Sequence, residues 1–217
     1  MDRSRVGIVI PAYNESATIA KIVAAALPYG MPIVVDDCSK DATASLAEAA
    51  GALVVRHQVN RGYDGALSSG FVKADEAGME AVITMDADGQ HNPGILKDYI
   101  ALLETSADVV LGVRQRHQRI SESIFAWTAN LFYGIRDPLC GMKGYRMELF
   151  RELGHFDSYK SIGTELALFA AKRKRRIKQI DIHMADRQDG KPRFGKIVRA
   201  NLIILRAMFI GLTRKPT

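Results

Sequence analysis

Short, continuous apolar runs alternate with longer segments of helical period along the first half of this chain. Val6-Gly7-Ile8-Val9-Ile10, Pro32 to Asp36, Ala52 to Val55, Ala81-Val82-Ile83-Thr84 and Asp108 to Val113 are rich in β-branched residues. Each is bounded by polar or turn residues, the pattern of strands buried on both faces. Between them the pattern predicts helices at Ala17 to Leu27, Asp41 to Ala50, Asp64 to Ala77 and Pro93 to Thr105. Asn14 or Ser16 is placed to cap the first and Asp41 the second, with Gly51 and Gly78 as stops. Unbroken strand–helix alternation predicts right-handed crossovers and an α/β fold with a mostly parallel sheet covered on both faces. The second half is less regular. Ile120 to Ile135 reads as a helix carrying Phe125, Trp127, Leu131, Phe132 and Tyr133. A short strand at Gly141 to Arg146, a helix at Gly163 to Lys172, a strand at Ile177 to Met184 and a helix at Gly195 to Leu212 follow.

Sheets of this kind bind ligands at the C-terminal ends of their strands. Four polar clusters fall there: Pro11-Ala12-Tyr13-Asn14-Glu15, Asp36-Asp37, Asn60-Arg61-Gly62-Tyr63-Asp64-Gly65, and Asp86-Ala87-Asp88-Gly89-Gln90. Asp86 and Asp88 alternate along an extended segment and share a face. Two carboxylates that close repel unless a cation lies between them. All-oxygen donors with Gln90 beside them suit Mg²⁺ or Mn²⁺; a polar turn with a helix-capping Asp is the plainer alternative. Tyr13 offers a stacking surface for a base, and Glu15 an acceptor for ribose or base. Asp41 alone accounts for a cap, so Asp36 and Asp37 are left to accept hydrogen bonds from a base or ribose. The Gly62–Gly65 turn matches neither a GxGxxG fingerprint nor a Walker loop, yet lets backbone approach a ligand.

Composition narrows the class. The 217 residues, 47% apolar and 25% charged, suit one globular domain with a full core. A formal net charge of +6 favours anionic partners such as nucleotides, phosphorylated lipid, membrane surface or nucleic acid. Nucleic acid is not expected, because no aromatic platform is interleaved with the charges. Cys38 and Cys140 form no zinc or CxxC spacing and suggest a reducing compartment. The chain runs from Met1-Asp2-Arg3 straight into a strand without a signal, and no apolar run of about 18 residues spans a bilayer. A cytoplasmic protein is the expectation. In the last helix Lys196, Arg199 and Arg206 fall near one stripe, with Ile197, Leu202, Ile203, Leu205, Phe209 and Ile210 covering much of the rest. That helix either packs on the sheet or lies in a membrane interface. Lys172-Arg173-Lys174-Arg175-Arg176 reads as a solvated helix end or an attractor of anionic lipid.

The four strand-end motifs, in this order and spacing, resemble those of family 2 glycosyltransferases, and most of all the polyprenyl-phosphate (dolichyl-phosphate) sugar transferases. The resemblance covers roughly residues 5 to 195. It implies a GT-A fold in one domain: 5–115 for nucleotide-sugar and metal, 116–195 for the acceptor, 196–217 an amphipathic helix. It implies a GDP- or UDP-sugar donor, with Pro11, Tyr13, Asn14, Glu15, Asp37, Asn60, Gly62, Asp86 and Ala87 around the nucleotide. Asp86, Asp88 and Gln90 would hold Mg²⁺ or Mn²⁺ on the diphosphate. Asp137 to Arg146 looks like the acceptor-side segment, and Arg187-Gln188-Asp189-Gly190 like the loop that closes over the phosphates. Asp88, Arg114, Asp137, Glu165 and Arg187 are the candidate catalytic residues. Arg114, Arg187, Lys191 and Arg193 are the candidate phosphate or acceptor ligands, since cations stabilise a departing diphosphate.

Inversion at the sugar C1 is implied. A phosphate acceptor is already anionic near pH 7, with its second pKa about 6, and needs no general base; a hydroxyl acceptor needs one. Hydroxyl-acting relatives commonly carry Glu-Asp where this chain has Thr164-Glu165-Leu166, which favours a phosphate acceptor at a membrane surface and leaves Asp137 and Glu165 as candidate bases. Two departures stand against that acceptor. Glu122 and Ala126 occupy positions where Arg and Ser are usual, and Gly190-Lys191-Pro192-Arg193 replaces Gly-x-Ser-Lys. The basic group Arg114, Arg116, His117 and Arg119 is placed to compensate. The rival readings are a transferase acting on a glycan hydroxyl and a nucleotide-binding protein without turnover.

Overall fold

The computed structural model describes residues 2–117, 119–183 and 197–214. Seven strands form one sheet: β1 (Val6–Ala12), β2 (Met31–Asp36), β3 (Leu53–Arg56), β4 (Ala81–Thr84), β5 (Val109–Arg114), β6 (Lys143–Arg146) and β7 (Ile177–Ile182). Their order is β3-β2-β1-β4-β6-β5-β7. All neighbours run parallel except β6, which is antiparallel to both β4 and β5.

Among the described residues eight helices cover the sheet: α1 (Ile19–Ala26), α2 (Thr43–Ala49), α3 (Gly62–Glu76), α4 (Leu96–Thr105), α5 (Ile120–Tyr133), α6 (Met147–Leu153), α7 (Glu165–Lys172) and α8 (Ile197–Thr213). The two faces follow from strand alternation. Val6, Ile8 and Ile10 of β1 join Ile19, Val23, Ala47 and Tyr99 on the α1, α2 and α4 side. Val9 joins Leu67, Phe71, Phe125, Phe156, Leu166 and Ile204 on the other. All seven residues of β1 are buried, as a central parallel strand requires.

Three local expectations are corrected. The first helix begins at Ile19, and neither Asn14 nor Ser16 caps it. Asn14 takes a positive φ of 54°, and its Oδ1 accepts from Lys40 N at 2.8 Å. Ser16 N donates to Asp41 Oδ2 at 3.2 Å, so both residues stitch the β1 loop to the β2 loop. Pro93 opens a 3-10 turn over Pro93–Ile95, capped by Asn92, before α4 starts at Leu96. Asp41 does accept from Thr43 N at 3.0 Å, one residue ahead of the position that formally caps α2.

The basic run after α7 is largely committed to the protein. Lys172 donates to Gly211 O at 2.6 Å, Arg173 and Arg175 pair with Glu152, and Arg176 with Asp108.

Candidate active site

The register levels the strand ends. Ala12 lies beside Asp36 and Asp36 beside Arg56, while Thr84 pairs with Val9 and with Lys143. The loops after β1, β2, β3, β4 and β5, together with the segment entering β6, therefore open on one edge of the sheet.

The β4 loop carries the two acids. Asp88 is 8% exposed, and its Oδ1 accepts from Gln90 N at 3.1 Å, closing a turn through Gly89 at φ 75°. That φ suits glycine. The Ala87 carbonyl accepts from Thr18 Oγ1 at 2.7 Å, which ties the loop to the start of α1. Asp86 lies against Gly141, where an added Cβ would collide with its carboxylate. His91 Nε2 stands 3.4 Å from Asp86 Oδ2. Burial pulls the His91 pKa down, but the hydrogen bond and charge of Asp86, reinforced by Asp88, outweigh it and raise the value.

Among the described residues, no group of three or more His, Cys, Asp and Glu side chains is arranged to hold a metal alone. Two carboxylates with a side-chain amide nearby, one of them cradled by a glycine, fit a hard divalent ion that takes its remaining ligands from water and phosphate. Gly141→Ala is expected to push the Asp86 carboxylate out of that cradle and cost about 10²-fold in turnover, the usual penalty for a misplacement near 1 Å. Nucleotide-sugar consumption, with a thermal melt as the control for folding, checks it.

The loops after β1, β2 and β3 are bound to each other. Glu15 N donates to Thr43 Oγ1 at 2.7 Å, Pro11 is buried, and the Tyr13 ring is exposed at the rim. Asp37 Oδ1 accepts from Arg61 N at 2.7 Å and Oδ2 from Gly62 N at 2.8 Å. Asn60 Nδ2 donates to the Asp37 carbonyl at 3.1 Å. The β2 and β3 loops thus form one unit around the Asp37 carboxylate.

Around β5, α5 and α7 the structure shows what three of the expected catalytic residues bond to. Arg114 forms a two-point pair with Asp137, Nε–Oδ2 2.7 Å and Nη2–Oδ1 2.9 Å, and also reaches Glu122 Oε2 at 3.2 Å. Glu122 in turn accepts from Arg119 Nη1 at 2.9 Å. Two cations and two anions close a compact network in which Arg114 is paired with Asp137 and Glu122. Asp137 is 1% exposed, and although burial opposes it, Arg114 holds its carboxyl below the usual carboxylate range. A buried, paired acid of that kind is a poor base. Glu165 is no better placed: it accepts from Ser158 N at 2.6 Å and Ser158 Oγ at 2.7 Å, with His155 Nε2 at 3.1 Å. Arg187, Lys191, Arg193 and the expected closing loop lie outside the described residues.

Lys143 is a buried cation that the sequence reading passed over, inside the segment assigned to the acceptor. Its Nζ donates to Gly163 O at 2.5 Å, and burial pulls its pKa from 10.5 down to about 8. Nearby Asp64 accepts from Gly163 N at 2.6 Å and Ile162 N at 3.2 Å. Burial, then the charge of Asp157, raises the Asp64 carboxyl to about 6. These bonds hold Ile162 and Gly163 at φ of 58° and 66°, a costly conformation for a β-branched residue.

Between pH 8 and 10.5 the unfolded chain keeps a Lys143 proton that the folded protein has shed, so stability rises with pH over that window. Relative to Lys143→Met, the wild type is expected to gain on the order of 3 kcal/mol at most across it. Urea unfolding of both proteins at pH 7.5 and about 10.5 reads the difference.

Known proteins of similar shape and sequence place this edge in context. The glycosyl transferase family 2 model matches residues 7–154. The chain is similar to the undecaprenyl-phosphate mannosyltransferase of Micrococcus luteus, 28% identical over 211 residues, covering 86% of each chain. It is also 28% identical over 210 residues to an uncharacterized glycosyltransferase of Mycobacterium bovis, covering 92% of this chain and 94% of that one. Among solved structures, glucosyl-3-phosphoglycerate synthase from Mycobacterium tuberculosis, in complex with Mn²⁺, UDP and phosphoglyceric acid, superposes with a TM-score of 0.72. It is 23% identical, over 94% of this chain and 78% of that one, so this likeness speaks to the GT-A fold. Because the matched span holds the β1 to β4 loops with Asp37, Asp86 and Asp88, this chain belongs to glycosyl transferase family 2.

Proposed function

We propose that this protein is an inverting, divalent-metal-dependent transferase that moves a sugar from a GDP- or UDP-sugar to a polyprenyl phosphate at the cytoplasmic face of a membrane. Asp86 and Asp88, with Gln90 beside them, would hold Mg²⁺ or Mn²⁺, which supplies neutralising charge for the departing diphosphate. The Asp37 unit and Tyr13 take the base, and Glu15 the ribose. The acceptor oxygen attacks C1 from the face opposite the diphosphate; the C1–O bond forms as the bond to diphosphate breaks, and no proton has to leave the acceptor.

The observation that carries this acceptor is the state of the two candidate bases. Asp137 is locked to Arg114 and Glu165 to the Ser158 turn. A hydroxyl acceptor would need one of them free, whereas a phosphate dianion needs neither. The similarity to an undecaprenyl-phosphate mannosyltransferase supports the same choice.

The membrane surface is supported by an exposed apolar stripe. Ile120, Ile124, Trp127 and Leu131 lie on the outward face of α5 at helical spacing, with Phe132 beside them. α8 packs along α5 and exposes Leu202 and Phe209 among Arg199 and Arg206. Among the described residues no helix is long and apolar enough to cross a membrane, and a stripe of this kind suits one that lies in the interface. α5 begins directly after Arg119, so the stripe runs out from the acceptor-side network.

Incubation with undecaprenyl phosphate, Mn²⁺ and radiolabelled GDP- and UDP-sugars tests the reading. An acid-labile, lipid-linked phosphosugar whose formation stops with chelator is the expected product. Label in an acid-stable glycan would favour a hydroxyl acceptor, and nucleotide binding without turnover would reduce the protein to a binding module.

A further inference from the structure

His57 is a buried side chain to which nothing above gives a role. It follows β3, and its ring joins three elements. Nδ1 lies 2.8 Å from Asp37 Oδ1 at the end of β2, and Nε2 lies 2.8 Å from Ser69 Oγ on α3. The backbone amide of His57 donates to Asp36 O at 2.9 Å, which pins the residue to the strand end. Arg61 N and Gly62 N already donate to Asp37, so that carboxylate is the acceptor and Nδ1 carries the proton facing it. The order Ser69–His57–Asp37 matches that of a nucleophilic triad. Here, however, the carboxylate also carries two backbone donors, which makes Asp37 the fixed point of the trio and not the remote orienting member.

A carboxylate offers about four lone-pair sites. His57 and Arg61 fill those of Oδ1 and Gly62 takes one of Oδ2, leaving one site on Oδ2. We propose that His57 is a positioning residue for base recognition: it clamps Asp37 so that this last site accepts one N–H from the nucleobase. The inference rests on the nucleotide-sugar reading above and sharpens it. A ring N–H next to a carbonyl, as in uracil or guanine, satisfies the site. Cytosine and adenine present a bare ring nitrogen there, which sets lone pair against lone pair.

Calorimetry with Mn²⁺ tests it, using UDP, GDP, CDP and inorganic pyrophosphate on the full chain. Wild type is expected to prefer UDP or GDP over CDP by about 10-fold or more, the usual effect of a hydrogen bond to a charged group. His57→Ala is expected to lose that preference while binding pyrophosphate as wild type does. His57→Asn restores it within about threefold, because the amide nitrogen occupies the place of Nδ1 and donates to Asp37. Ser69→Ala keeps the ring but frees one side of it, and gives an intermediate loss if His57→Ala proves too unstable to measure. An unchanged preference in both His57→Ala and Ser69→Ala overturns the inference alone, as does a parallel loss of pyrophosphate binding, which would mark general loosening. Wild type that binds none of the nucleotides removes the transferase reading and this inference with it.

Discussion

Asp88→Ala is expected to lower sugar transfer by about 10³-fold while the protein stays folded. Charge that develops on a departing diphosphate is stabilised by groups already in place, and removal of one such group costs about 10²- to 10³-fold. On the proposed reading the loss falls on an ion with two carboxylates for protein anchors, so the upper end applies. The structural cost is smaller. The bond from the Gln90 amide to Asp88 closes a local turn, and a bond of that kind is worth about 1 kcal/mol. In a chain of this length that shifts the melting temperature by only about 2–4 °C. Asp88→Asn keeps an acceptor for Gln90 N and removes the charge, so its activity should fall nearly as far with a still smaller change in melting. Chelator should reproduce the defect in wild type, and added Mn²⁺ should reverse it there but not in Asp88→Ala. The measurement is the initial rate of nucleotide release at saturating donor. A rate for Asp88→Ala within tenfold of wild type would falsify the assignment of the acidic pair to the metal.

The parts of this site that were legible in sequence are those made by neighbours along the chain. The strand before Asp86 and the break at Gly89 are local facts, and the structure keeps both; the strand ends at Thr84, however, and Ala87 and Asp88 lie in a turn and not on an extended segment. The sheet itself was legible for the same reason, since a buried parallel strand announces itself as an unbroken apolar run. What sequence could not disclose is pairing at a distance. Arg114 read as a cation aimed at phosphate because its partner Asp137 stands 23 positions away, and the two-point contact exists only once the β5 and β6 ends meet. Glu122 read as a departure from the family pattern. In the fold it is the second anion on Arg114, which gives the departure a structural reason. Asn14 and Ser16 looked like caps because their residue types cap helices, yet both bond to the neighbouring loop instead. The antiparallel turn into β6 was equally hidden, and with it the buried Lys143 beneath the Gly163 carbonyl.

These pairings bear on acceptor choice. The two acids proposed as bases for a hydroxyl acceptor, Asp137 and Glu165, and the arginine proposed for a phosphate, Arg114, each have partners among the described residues. On the proposed reading, recognition of a lipid phosphate would fall to cations outside that network, and binding of the lipid chain to the exposed apolar face of α5. That face can be tested without knowing the sugar.

Addition of vesicles rich in anionic lipid is expected to shift the emission of Trp127 to the blue and to expose it to quenching by brominated acyl chains. Trp127 is the only tryptophan in the chain and is 67% exposed, so the signal reports this face alone. Burying a side chain of the size of Ile124, Trp127 or Leu131 is worth about 1.5–3 kcal/mol, and each nearby cation such as Arg199 or Arg206 adds about 1 kcal/mol at an anionic surface. Replacing Ile124 and Leu131 together by Glu removes two apolar contacts and introduces two anions. Vesicle partition should then fall by about 10²-fold or more, since each 1.4 kcal/mol is a factor of ten. Both positions lie on the outer stripe of α5, away from the buried residues Phe125 and Ala129 that hold the helix to the sheet, so folding should be preserved. Added salt should weaken wild-type partition, because the Arg199 and Arg206 contribution is screened. A blue shift that appears with rising protein concentration in the absence of lipid would instead mean that a second copy covers this face, and Trp127 emission indifferent to both would leave the stripe without a partner and the membrane reading without its support.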